Sequence, residues 1–136
     1  MGMVYSEITI KNYDDILSEQ KRSIDNQEIR EVKINALVDS GAWTMAINEE
    51  TREKLGLKIT RITQSTLANG VKEVYKMAGP IEIWWKDRSV ICETIVLPNA
   101  KENLLGAIPL EAMDLTINPR TQELTGAHGD EILHRI

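Results

Sequence analysis

The chain has 136 residues, about the length of one domain, so a single domain over 1–136 is expected. Apolar residues make up 42% and charged residues 27%, an ordinary globular balance that excludes an intrinsically disordered chain. Twenty-one acidic residues against 16 basic ones leave a net charge of −5, which argues against a nucleic-acid partner. One cysteine, Cys92, excludes an internal disulfide framework and fits a reducing, cytoplasmic setting. No apolar run approaches the roughly 20 residues of a membrane helix, so no membrane partner is expected. Phenylalanine is absent and only three Trp and three Tyr are present, which leaves Val, Ile and Leu to build the core and favours sheet.

In chain order, Val4 to Ile10 reads as a strand. Over 11–29 the signals conflict: Tyr13, Ile16, Leu17 and Ile24 loosely suit a helix, while Asp25-Asn26-Gln27 suits a loop tip. The preferred reading is a long hairpin whose second arm, Arg30 to Val38, alternates Val32, Ile34, Ala36 and Val38. Thr44 to Ile47 is a short strand, followed by a helix capped by Asn48 and stopped by Gly56. Leu57 to Leu67 and Val71 to Met77 flank Ala68-Asn69-Gly70, a hairpin signal in which both turn positions are expected at positive φ. Gly79-Pro80 is expected to break the chain before a second hairpin, Ile81 to Trp85 and Ser89 to Leu97. In that hairpin Glu82, Lys86, Asp87 and Arg88 read as a solvated end, and Trp84 and Trp85 point to opposite faces. A short helix around Pro109 to Met113 follows Leu104-Leu105-Gly106, and Leu115 to Ile117 with Gln122 to Thr125 make a last hairpin. The sum is a mainly β, barrel-like domain with one or two short helices.

Chemistry concentrates at Ala36-Leu37-Val38-Asp39-Ser40-Gly41-Ala42, where an apolar strand ends on a carboxylate, a hydroxyl and a glycine. A carboxylate there is costly unless hydrogen-bonded, and Gly41 lets the backbone turn beneath it. Alone, Asp-Ser-Gly equally describes an Asx-type turn closing a strand. Together with the later glycine-tipped hairpin and Leu104-Leu105-Gly106 before a short helix, it resembles the retropepsin-like aspartic proteases over roughly residues 30–125. Residues 1–29 would then be an N-terminal extension and 126–136 a tail. The resemblance implies a closed, barrel-like acid-protease fold. It makes Asp39 the catalytic aspartate, with Ser40, Gly41 and Ala42 supporting it and Ser40 bracing a dimer floor. It makes Ala68, Asn69 and Gly70 a flap, and Leu104, Leu105 and Gly106 an apolar-glycine motif behind the site. No cofactor and no metal are implied.

Two departures from the retroviral pattern are Trp43 and Ala107, which occupy the places of a supporting Asp and Arg. Both partners are missing together, as expected where a lone buried charge is costly. Trp43 suits a substrate subsite and equally a core or interface position. Hydrolysis by this route needs two aspartates sharing a proton. The chain has one Asp-Ser-Gly, so a two-fold mate supplying its own Asp39 is expected, with an extended peptide as substrate. Ile132, Leu133 and Ile136 of the tail are expected at that interface. The rival is a catalytically inactive dimeric peptide-binding or scaffold module on the same fold. His128 and His134 beside Asp130 and Glu131 read as a solvated tail in preference to a metal site, and Cys92 as an inert thiol within an apolar strand.

Overall fold

The computed structural model describes residues 2–21, 28–66 and 68–130. The first arm is strand β1 (Tyr5–Asn12) and the second β2 (Glu31–Val38), paired antiparallel with Ile8 opposite Ile34. The arms of the expected hairpin are present, but helix α1 (Tyr13–Lys21) stands between them. Asn12 Oδ1 accepts a hydrogen bond from the Asp15 N–H at 3.1 Å, and Asp14 and Asp15 occupy the acid-favouring first turn. Arg30 then holds Asp15, donating to its two carboxylate oxygens at 2.8 and 2.9 Å. The expected tip at Asp25-Asn26-Gln27 lies outside the described residues.

Strand β3 (Met45–Asn48) leads into helix α2 (Glu49–Leu55), where Asn48 Oδ1 accepts from the Thr51 N–H at 2.8 Å and Gly56 ends the helix at φ 62°. Strands β4 (Ile59–Thr66) and β5 (Lys72–Trp85) form the hairpin signalled by Asn69-Gly70. Its turn differs from expectation, because Gly70 takes positive φ (83°) while Asn69 does not. Asn69 instead closes the turn through its side chain, accepting from the Val71 N–H at 3.0 Å. Gly79-Pro80 does not break the chain. β5 runs through it as one strand, and the irregularity is absorbed by a register shift against β6 (Arg88–Leu97) between Ala78 and Ile81.

Arg88 is also a correction. It is 5% exposed, and its guanidinium donates to the carbonyls of Met113 and Asp114 at 2.9 and 3.0 Å. Trp85 is buried and Trp84 half-buried on the opposite face, as the alternation requires. β7 (Leu104–Leu105), α3 (Ala107–Ala112), β8 (Leu115–Asn118) and β9 (Glu123–Asp130) complete the described chain. Residues 126–130 thus belong to β9 instead of a tail, while Ile132, Leu133 and Ile136 lie outside the described residues.

Strand order is β1-β2-β7-β3-β6-β5-β4, and β1 pairs a second time with β5, Thr9 opposite Trp84. The pairings therefore return to their starting strand, and β4 hangs on the outside of the ring. β8 and β9 make a separate two-stranded sheet. Inward residues of the ring, among them Ile8, Ile10, Ile47, Ile81, Ile83 and Leu105, are all but fully buried with Leu55 of α2. Each such side chain contributes roughly 1.5–3 kcal/mol of burial, so an aliphatic core suffices without phenylalanine. The architecture is mainly β, as expected, with three short helices among the described residues where one or two were expected.

Candidate active site

β2 carries the chain inward and ends at Val38, which leaves Asp39 at the mouth of the ring. The Asp39 N–H donates to the Leu105 carbonyl at 3.0 Å, continuing the parallel pairing of Leu37 with Leu104 and Val38 with Leu105. The chain then doubles back, with the Ala42 N–H donating to the Asp39 carbonyl at 3.1 Å. The Gly41 N–H donates to Asp39 Oδ1 at 2.9 Å and aims the carboxylate. A side chain on Gly41 would put its Cβ 3.1 Å from that same oxygen. The Asp39 side of this loop is half-buried and Ser40 is exposed.

Leu104-Leu105-Gly106 locks this loop from behind. The Ala107 N–H donates to the Ala42 carbonyl at 2.7 Å and the Ile108 N–H to the Trp43 carbonyl at 3.0 Å. A Cβ at Gly106 would fall 2.0 Å from the Thr44 carbonyl oxygen, so only glycine fits there. Two motifs far apart in sequence are thus one backbone-bonded unit. Ala107 and Trp43, the two departures named above, are thus joined through main-chain bonds, and with Trp43 46% exposed this corner is apolar and open.

Three hollows adjoin the unit. One, of about 230 Å³, lies between the loop and the β4–β5 hairpin and is lined by Gly41, Ala42, Trp43, Tyr75, Ile95 and Leu104, among others. A second, of about 560 Å³, reaches Asp39 from the other side, between Gly2-Met3-Val4 and Ile117-Pro119. The third, of about 290 Å³, runs from Ser40 to Leu110, Leu115 and Ile117. None of the three hollows is lined by the hairpin tip. Nothing lies within 4 Å of a Cβ built on Gly70, so this tip residue is not packed against Asp39. Tyr75, lower on β5, is the hairpin residue that faces the loop. Sequence reading missed it, although an aromatic one turn-arm below Asn69-Gly70 was the available signal. Its hydroxyl is bonded to Glu73, which raises the phenol above its usual range.

Other candidates stand apart from Asp39. Burial, with Glu93 beside it, pushes the Cys92 thiol up to about 12, which fits an inert thiol. His128 Nδ1 lies 2.6 Å from Asp114 Oδ1, and the His128 side chain holds that carboxyl below the usual range. His134 and Glu131 lie outside the described residues, and among the described residues no group of three or more His, Cys, Asp or Glu is placed to hold a metal. No described helix is long and apolar enough to cross a membrane.

Comparison with known proteins gives two kinds of likeness. The fold is similar to the retroviral protease-like domain of Ddi1 from Leishmania major, with a TM-score of 0.57 at 20% identity over 92% of this chain and 88% of that one. EIAV protease complexed with the inhibitor HBY-793 aligns with a TM-score of 0.49 at 20% identity, over 81% of this chain and 86% of that one. No curated protein sequence matches. The family described as "gag-polyprotein putative aspartyl protease" matches residues 26–112, which holds Asp39 and Gly106 and more than half of the chain. This protein belongs to that retropepsin-like aspartyl protease family.

Proposed function

We propose that the chain is an aspartic endopeptidase acting as a two-fold homodimer, with Asp39 of each copy facing the other across the axis. The observation that carries the reading is the unit just described: a carboxylate at the mouth of the ring, aimed by the Gly41 N–H and backed by main-chain bonds to residues 105–108. One such carboxylate is half of a general acid–base pair. Two close together share a proton, because like charges at short range do not both ionise. The ionised member takes a proton from water as the water attacks the scissile carbonyl, and the protonated member donates to that carbonyl oxygen. Ser40 would brace the two loops against each other. An extended peptide would lie in the hollow beneath Tyr75, strand-like, with β5 above and Gly41-Ala42 below. Trp43 and Leu104 give that hollow apolar walls.

The test is cleavage of an unbiased peptide library by the purified chain, run beside its Asp39→Asn variant and beside a measurement of dimer dissociation. Asparagine keeps the Gly41 hydrogen bond but cannot take the proton. Loss of cleavage of about 10³-fold or more is expected, with association at neutral pH no weaker than in the parent. Cleavage retained in the variant, or full activity in a preparation that is monomeric throughout, overturns the reading.

A further inference from the structure

At the base of the β4–β5 hairpin two irregularities coincide. Between Ile59 and Arg61 the β4–β5 register slips, leaving Thr60 as an extra residue on β4. Between Ala78 and Ile81 the β5–β6 register slips as well, so Gly79 and Pro80 together oppose Glu93 of β6. A bulge weakens its ladder and bends the strand. Two bulges side by side across three strands make a crease, beyond which the hairpin carries Tyr75 over the Asp39 loop.

One side chain spans the crease. The Glu93 carboxylate leaves β6, passes over β5 and reaches β4. There it accepts from Thr60 Oγ1 at 2.7 Å and from Arg61 Nε and Nη2 at 3.2 and 3.0 Å. The crossing is open because the β5 residue beneath it is Gly79, at φ 143°. A Cβ there would sit 3.3 Å from Glu93 Cα. The staple therefore grips the very residue that the β4 bulge leaves outside its ladder.

We propose that Glu93 is a positioning residue whose staple to Thr60 and Arg61 sets the angle of the β4–β5 hairpin, and thereby the placement of Tyr75 over the substrate. The kinetic part rests on the protease reading, and the mechanical part does not. Arg61 and Glu93 are 53% and 37% exposed, so their pairing adds little to global stability, as is usual for surface ion pairs. Its effect is on local opening of the hairpin.

The experiment is hydrogen exchange of the full chain in the parent, Glu93→Ala, Glu93→Gln and the swapped pair Arg61→Glu with Glu93→Arg. In Glu93→Ala the amides of 61–64 and 72–77 should exchange about tenfold faster, while those of β1, β2 and β3 keep their parent rates. Glu93→Gln, which keeps an acceptor for Thr60, should fall between, and the swap should restore protection. If the chain cleaves peptide, Glu93→Ala should raise KM about fivefold with kcat within about twofold of the parent, because Asp39 is untouched. Unchanged exchange in Glu93→Ala, or exchange accelerated equally throughout the sheet, overturns the proposal. A chain that cleaves nothing while its hairpin loosens as described overturns the protease reading and leaves the crease standing.

Discussion

The Asp39 loop and the β4–β5 hairpin are built on opposite plans. The loop is tied to residues 105–108 by main-chain hydrogen bonds and packed so closely that Gly106 has no room for a methyl group. The hairpin ends in open space at Gly70, exposes Ile62 and Val74 by more than 60%, and at its bulged base the Glu93 side chain bonds Thr60 and Arg61 beside the main-chain ladder. Main-chain bonds in a confined space fix atoms to fractions of an ångström, as acid–base chemistry requires. A projecting hairpin with few buried contacts opens at low cost, as substrate entry requires. One fold supplies both by placing the loop at the mouth of the strand ring and letting the tip of the hairpin project beyond it.

The sharpest way to break this comparison is to exchange the two glycines' roles. Gly106 is glycine for space, at an ordinary φ of −95°, whereas Gly70 is glycine for conformation, at 83° with nothing nearby. Gly106→Ala should cost about 4 kcal/mol or more, because backbone carbonyls cannot move aside as a side chain can. Thermal unfolding of the variant, or its failure to fold, measures this. Destabilisation under 1 kcal/mol would mean the loop is far more compliant than its contacts imply.

Next in size is Arg88, which holds the chain leaving α3. Arg88→Met removes the donor to the carbonyls of Met113 and Asp114 in a buried setting, a loss of about 2–3 kcal/mol by denaturant titration. The same substitution at Arg61, in the exposed hairpin base, should cost less than about 1 kcal/mol. Equal losses at the two sites would erase the distinction between framework and hairpin.

Acid should act on the framework in a defined direction. Hydrogen bonds from Arg30 hold the nearly buried Asp15 carboxyl below its usual range, against the opposing pull of desolvation. Its folded-state value is thus depressed relative to the unfolded chain. Its contribution is full above the unfolded carboxylate range and is lost as pH falls through the folded value. Stability measured from pH 6 down to pH 2 should decline less steeply in Asp15→Asn than in the parent. An identical slope would remove the Asp15–Arg30 pair from the account.

At the hairpin tip only backbone conformation is at stake. Gly70→Asn should be nearly neutral, since asparagine tolerates positive φ, while Gly70→Val should cost about 1–2 kcal/mol through backbone conformation alone. Thermal shifts of the pair, taken together, check that no neighbour is involved.

Much of the framework was legible because its determinants are local. Asn48 and Gly56 mark the ends of α2 through one side-chain bond and one left-handed residue, and Asn69-Gly70 marks a hairpin whichever turn closes it. Asp39-Ser40-Gly41 and Leu104-Leu105-Gly106 were legible as two motifs, though not as one unit, because the bonds between Ala42 and Ala107 have no sequence signature. Partnerships over long range hid the rest. Helix α1 depends on Arg30 to satisfy Asp15, Arg88 sits among charged neighbours yet is buried by carbonyls of α3's exit, and Tyr75 gains its place only when β5 folds over the loop. Gly79-Pro80 misled for the converse reason, since its local breaking tendency is absorbed by a bulge that only the β5–β6 pairing provides.

The second pairing of β1, with β5, has a consequence in time. Of the described pairings in the ring it joins the residues most distant along the chain, Thr9 with Trp84. β1 is synthesised first and meets β2 early, but its other edge waits until β5 and the hairpin before it have emerged. Closing that long stretch is the most costly search in assembling the fold, as it is for sheets dominated by distant contacts. Until it succeeds, the Thr9–Asn12 edge of β1 stays an unpaired strand able to pair with another chain. The feature that encloses the core in the finished protein is also the one that leaves the nascent chain exposed the longest.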